Sequence, residues 1–266
     1  MKRKPIILLL FFCAVLLCGR IEWQIYKVNN AASLIGEKGE MLMEEKGEIE
    51  EEIERTSAFL QQTAIPKTVF LTFDDGPSEN TQLILDTLEK YDIKATFFLI
   101  GCQAEERKEL VQAEIDAGHS VGLHTYCHEA GEIYASADSY VNDVLKVKAF
   151  LESEFHYTPA IYRFPWGSKN QYVKPFRKQI LDTLGAEGLT WYDWNVSAED
   201  SVGTPSSYSI IHNIKKDLPN KREAVILMHD SAINKNTAES LPEIIEYIKE
   251  QGYIFDVLKG NTEWEK

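Results

Sequence analysis

From Thr68 to Leu258 the chain alternates short apolar runs with amphipathic stretches, and no other feature limits its possible folds so tightly. The runs that read as strands are Thr68–Phe73, Ala95–Ile100, Ser120–His124, Ile161–Phe164, Thr190–Trp194, Ala224–Met228 and Tyr253–Leu258. Between them, helices are expected to begin near Asn80, Arg107, Ala137, Lys174, Ser206 and Ala238. Gly118, Gly185, Gly188 and Gly252 fall where helices should stop. Strands separated by helical crossovers form a parallel sheet. The expectation is an α/β fold, with about seven strands curled into a (β/α) barrel.

The residues before Thr68 follow other rules. Lys2-Arg3-Lys4 precedes an apolar run from Ile6 to Gly19, closed by Arg20. A basic segment followed by an apolar one belongs to export or anchoring. The run is shorter than the ~20 residues of a comfortable transmembrane helix. No small-x-small cleavage site follows it. Residues 1–29 are therefore read as a signal anchor, with a cleaved signal peptide as the alternative. Both place the rest of the chain outside the cytoplasm, because the basic end stays inside.

Residues 30–65 read as an acidic helical stalk. Ile35, Leu42 and Ile49 recur every seventh residue, as do Ile53 and Leu60. The spacing suits a short coiled coil and weak self-association. A solvated spacer helix is nevertheless the favoured reading, since the pattern is short and poor in cations, although Gly36, Gly39 and Gly47 weaken any helix here. Residues 66–266 are then the body. The net charge of -14 excludes a nucleic-acid partner, whose phosphates need a basic surface. Cys102 and Cys127 lie in the body and are too few for a disulfide scaffold; their pairing stays open.

Polar residues collect at the strand exits. The first strand ends in Asp74-Asp75-Gly76-Pro77, the third in His124-Thr125-Tyr126-Cys127-His128. Arg163 and Pro165-Trp166-Gly167 bracket the end of the fourth, the fifth leads to Asp200, and the sixth ends in His229-Asp230. An α/β barrel builds its active site from the loops after its strand C-termini. Adjacent residues on a strand point to opposite sides, so Asp74 and Asp75 can take two roles. Asp-Gly-Pro is equally good turn chemistry. His124 and His128 can hold one ion if the backbone between them curls. Two imidazoles and a carboxylate suit Zn²⁺, with Co²⁺ or another first-row divalent ion as alternatives.

These segments together resemble the polysaccharide deacetylases with a NodB homology domain, carbohydrate esterase family four. Thr72-Phe73-Asp74-Asp75-Gly76-Pro77-Ser78 resembles the first motif and His124-Thr125-Tyr126-Cys127-His128 the second. Arg163-Phe164-Pro165-Trp166-Gly167 is similar to the third, and Leu227-Met228-His229-Asp230 to the fifth. The resemblance implies a distorted (β/α) barrel and a metal-dependent hydrolase. It implies that Asp75, His124 and His128 hold the metal, that Asp74 is the general base, and that Arg163 holds that base. It further implies that His229 is the general acid, that the Trp166 backbone N–H stabilises the oxyanion, and that Leu227 lines an acetyl-methyl pocket.

The fourth motif departs from the family. Asp200 keeps its key position, where it would pair with His229 and hold it protonated. Ser201 stands where the family commonly has Trp, which leaves the pocket's far wall open. The expected substrate is an N-acetylglucosamine polymer of a cell wall, peptidoglycan first. Chitooligosaccharides and O-acetylated xylan are alternatives. A reading from a different class is a non-catalytic wall-binding domain, which predicts loss of a ligand, the base or the acid.

Overall fold

Lys67–Gly76 runs through the centre of the body as its first strand, β1, exposed at Lys67 and buried without a break from Leu71 to Asp74. The computed structural model describes residues 4–32, 46–56 and 66–260. The chain divides into two units, Met1–Ile65 and Pro66–Lys266. In the first, α1 spans Lys4–Ala32 and contains the apolar run from Ile6 to Gly19, and α2 covers 46–56. Among the described residues no helix is long and apolar enough to cross a membrane. Of the heptad positions, Ile35, Leu42 and Leu60 lie outside the described residues.

In the second unit β1 is followed by α3 (Thr81–Tyr91), β2 (Thr96–Ile100), α4 (Gly101–Glu106), α5 (Lys108–Asp116) and β3 (Ser120–Thr125). Next come α6 (Ala130–Ile133), α7 (Ala137–Phe155), β4 (Ile161–Tyr162), α8 (Arg177–Ala186), β5 (Thr190–Trp191) and β6 (Val196–Ser197). The chain continues through α9 (Ser207–Asp217), a 3-10 turn at Leu218–Asn220, β7 (Glu223–His229), α10 (Lys235–Glu250) and β8 (Tyr253–Phe255).

Seven strands run in the order β5-β4-β3-β2-β1-β7-β6, and β8 pairs with the first residues of β1. Every ladder is parallel. β5 and β6 stand at the two ends of this path, so the hydrogen-bonded sheet does not close on itself. The arrangement fits the distorted (β/α) barrel.

Strand periodicity divides the core into two layers. Val69, Leu71, Phe73, Phe97, Leu99, Val121, Leu123, Ile226 and Met228 face the helices and join Ile84, Leu88, Val144 and Ile245 in one cluster. Phe98, Ile161, Tyr192, Val225 and Leu258 form a second cluster, with Phe70 and Trp194 packed against it. Each such side chain, fully buried, contributes roughly 1.5–3 kcal/mol. The second cluster fills the concave side of the sheet and forms the floor of the rim where the polar residues stand.

Some boundaries differ from the expected ones. The fourth and fifth strands shrink to two residues each, and Val196–Ser197 is an additional two-residue strand that no apolar run in the sequence marks. The helix expected near Lys174 begins at Arg177, after a run of turns. The last helix begins at Lys235 and continues through Pro242. A proline inside a helix normally breaks it; here the buried face formed by Leu241, Ile244, Ile245 and Ile248 holds the helix together.

Candidate active site

Strand register brings the polar residues together. Asp74 on β1 is the direct partner of His229 on β7, and Leu227 sits opposite Thr72, two residues below. The β1–β2 register slips between Asp74 and Gly76. Asp75 there takes a left-handed backbone, φ 71. The pleat alone would send Asp75 to the face opposite Asp74. Instead the bulge turns its carboxylate to the histidines, with Asp75 Oδ1 3.4 Å from His124 Nε2 and 3.5 Å from His128 Nε2.

Those three residues form a cluster whose ligand atoms lie within 4.8 Å of one another. Asp75 Oδ1 is buried and has no hydrogen-bond partner. A buried carboxylate oxygen left unpaired is costly unless a cation meets it. His124 Nδ1 lies 2.9 Å from the Arg163 carbonyl oxygen, which can only accept, so Nδ1 carries the proton. The Nε2 lone pair is then directed at the cluster, the orienting arrangement usual for a metal-binding imidazole. Separations of 3.4 and 3.5 Å also suit ligands lying ~2.0–2.1 Å from one tetrahedral ion. The donor set therefore fits a divalent metal. Burial would raise the Asp75 pKa, but the His124, His128 and His229 rings outweigh it and hold it at about 2. Burial, with His124 beside it, lowers the His128 pKa and favours the neutral ring that a ligand needs.

Asp74 is 3% exposed and forms an ion pair with fully buried Arg163, Nη1 to Oδ1 2.8 Å. The same guanidinium donates to Thr72 Oγ1 at 2.7 Å, to the Tyr192 carbonyl at 3.1 Å and to the Asp193 carbonyl at 3.3 Å. Thr72 donates its own proton to the Ile226 carbonyl, which leaves a lone pair for Arg163. The guanidinium lies 4.3 Å from the centre of the Phe98 ring, so the apolar floor supports it from one side. A buried charge needs such a complete set of partners.

His229 is held by Asp200. Its Nδ1 lies 2.7 Å from Asp200 Oδ1, and its backbone N–H donates to Oδ2 at 2.8 Å. Thr237 Oγ1 donates to the same Oδ2 at 2.8 Å, and Asn234 donates to the Asp200 carbonyl at 2.7 Å. Burial pulls the His229 pKa down. The Asp200 hydrogen bond and charge, with Asp74 and Asp75 further off, outweigh it and raise the pKa to about 9.

The remaining expected residues are distributed around this centre. Trp166 takes a left-handed backbone, φ 61, and is 50% exposed; its ring centre lies 4.7 Å from that of His128. A bulky residue in that region costs on the order of 1–3 kcal/mol, and such residues cluster at functional sites. Leu227 is buried, yet alone among the aliphatic residues of β7 it belongs to neither core cluster. Ser201 is exposed. Trp191 and Tyr192 pack in the two core clusters, and Trp194 against the second. Cys102 and Cys127 are both free thiols.

Three supporting residues receive no role from sequence reasoning, although Asp230 was already marked at its strand exit. Asp193 accepts from the Ser168 N–H at 2.9 Å and its hydroxyl at 2.7 Å, fixing the loop that carries Trp166. Its place just after the fifth strand was the available signal. Asp230 accepts from Ser78 and Thr81 and donates its N–H to the Asp74 carbonyl, tying the loop after β7 to β1. Asp143, on α7, accepts from residues of the His124–His128 loop, and nothing local marks it.

A family model described as polysaccharide deacetylase matches residues 61–187. The chain is 28% identical over 261 residues to a peptidoglycan-N-acetylglucosamine deacetylase of Bacillus cereus, across 96% of this chain and 92% of that protein. A second Bacillus cereus protein of the same description is 32% identical over 194 residues, 71% of this chain and 85% of the other. Among solved structures, the catalytic domain of peptidoglycan N-acetylglucosamine deacetylase from Eubacterium rectale superimposes with a TM-score of 0.68 at 31% identity. That match covers 73% of this chain and 89% of the other.

Proposed function

The chain belongs to the polysaccharide deacetylase family, and on that premise we propose that it removes N-acetyl groups from N-acetylglucosamine residues of a cell-wall polysaccharide, peptidoglycan first, with a divalent metal. One observation carries the reading. Asp74 and His229 stand side by side across the β1–β7 ladder, next to the Asp75, His124 and His128 cluster. A base, an acid and a metal-ligand set thus meet at one rim.

Hydrolysis of an amide needs a stronger nucleophile than neutral water and a better leaving group than an amide anion. Asp75, His124 and His128 would hold the metal, which would supply Lewis acidity towards the water and the acetyl carbonyl. Zn²⁺ suits the donor set best, and Co²⁺ or another first-row ion is chemically admissible. Asp74, its other oxygen held by Arg163, takes the proton of the attacking water. His229, kept protonated by Asp200, gives its proton to the departing nitrogen. The Trp166 N–H assists the developing oxyanion, a type of contact that typically contributes about 3–4 kcal/mol. Leu227 borders the space for the acetyl methyl. Half-exposed Trp166 and Tyr172, with ring centres 6.2 Å apart beside His128, offer apolar faces to the sugar rings of a polymer.

We place the enzyme outside the cytoplasm, retained by its N-terminal segment or released by cleavage. The support is the basic cluster Lys2-Arg3-Lys4 ahead of the apolar run. Fractionation of expressing cells, with antibody detection, tests this; recovery of the chain only from the cytosol would refute it.

Acetate release tests the activity. The full chain is incubated with acetylated peptidoglycan, chitin oligomers and acetylated xylan, with and without chelator. Release is expected from peptidoglycan most of all, to be lost with chelator and restored by Zn²⁺ or Co²⁺. Asp74→Asn and His229→Ala should each reduce turnover by about 10²–10⁴-fold, whereas Asp75→Asn chiefly weakens metal binding. No release from any substrate with metal supplied would sink the enzymatic reading.

A further inference from the structure

We propose that Asp143 is a positioning residue for the metal ligand His128, acting through Thr125; this rests on the reading that Asp75, His124 and His128 hold a metal. The two histidines are held differently. His124 lies on β3 and its ring is oriented by the Arg163 carbonyl. His128 lies beyond the strand, in a segment without regular structure, with its backbone in the left-handed region at φ 56. A ligand on such a segment needs outside support to stay in place.

Asp143 supplies it from a rigid element. Its helix α7 runs for 19 residues, is capped by Ser136, and buries Tyr140, Val141, Val144, Val147 and Leu151. Asp143 Oδ2 accepts from Thr125 Oγ1 and from the Tyr126 N–H, both at 2.6 Å. Its Oδ1 lies 3.7 Å from Cys127 Sγ. One carboxylate therefore gathers all three residues between the two histidines.

The Thr125 hydroxyl has a single proton, and Asp143 takes it. A lone pair then faces the His128 N–H, which donates to Thr125 Oγ1 at 3.4 Å. The bonds run from carboxylate to hydroxyl to the backbone of the ligand, and the carboxylate sets the direction of each. Without Asp143 the buried hydroxyl can turn to another acceptor, and the left-handed turn at His128 loses its anchor. Second ranks of this kind typically change metal affinity by about 10–100-fold.

Zn²⁺ titration of the metal-stripped full chain by calorimetry tests the proposal. Asp143→Ala and Thr125→Val should each raise the Zn²⁺ Kd by about tenfold or more. The double variant should be little weaker than either single one, because both break one relay. Asp143→Asn keeps a carbonyl oxygen for both donors and should recover most of the affinity. A purely structural role would lower the melting temperature of the metal-free protein and leave its Kd alone. Unchanged Kd in Asp143→Ala and Thr125→Val, with the wild type binding normally, would overturn the proposal. A wild-type chain that binds no Zn²⁺ would remove the metal reading itself, and this inference with it.

Discussion

His229 concentrates the residue-scale chemistry of the site. Its ordinary pKa is about 6.5, and Asp200 raises it to about 9 against the opposing effect of burial. The ring is therefore charged at neutral pH, which suits the acid role proposed for it. A histidine whose folded pKa is raised stabilises the fold fully below about pH 6.5, and that contribution fades as pH climbs towards 9. In the metal-free chain the His229 ring proton should titrate near 9 by NMR, and clearly lower in Asp200→Asn, where only the charges of Asp74 and Asp75 still oppose burial. A wild-type midpoint near 6.5 would contradict the assignment. Sequence could pair Asp200 with His229 only through a family motif. The closeness of the pair comes from the β6–β7 region, where the Asp200 carboxylate caps the His229 N–H as well as the ring.

At the scale of elements, much of the body was legible. Apolar runs identified β1, β2, β3 and β7, because a parallel strand buried on both faces reads as a nearly continuous apolar stretch. The two-residue β4 and β5 were still marked by the longer apolar stretches around them, whereas β6 has no such stretch and was missed. Nor could the pleat foresee Asp75, which a bulge and a left-handed backbone redirect to His124 and His128. Gly122 shows how tightly the elements are fitted on the concave side. A Cβ there would lie 2.7 Å from Phe98 ring carbons and 2.9 Å from Ile161 Cγ1, both in fully packed side chains. Gly122→Ala should destabilise the body by roughly 1–3 kcal/mol in urea unfolding. It should also slow turnover, because Phe98 is the ring against which Arg163 rests. Wild-type stability in that variant would mean the inner layer is looser than described.

Across the whole molecule, every residue assigned to the reaction lies between Asp74 and Asp230, inside the unit Pro66–Lys266. A chain beginning at Pro66 should therefore fold and release acetate from soluble oligomers at the full chain's rate. Circular dichroism and an acetate assay check this. Failure to fold would show that Met1–Ile65 contributes to the stability of the body, and slower release on insoluble wall alone would assign that unit to delivery.

By itself the sequence determined the alternation of strands and helices, the rim on which the polar residues stand, and the candidates for a base, an acid and three metal ligands. Those follow from short-range rules, since hydrophobic period and strand-exit position are properties of neighbouring residues. Tertiary structure alone decided which oxygen of Asp75 meets the two imidazoles, how Arg163 fills its donors deep in the protein, and that Asp143, from a distant helix, organises the loop before His128. Each of these depends on side chains brought together across the sheet or between sheet and helix, and the distances between them are set by packing.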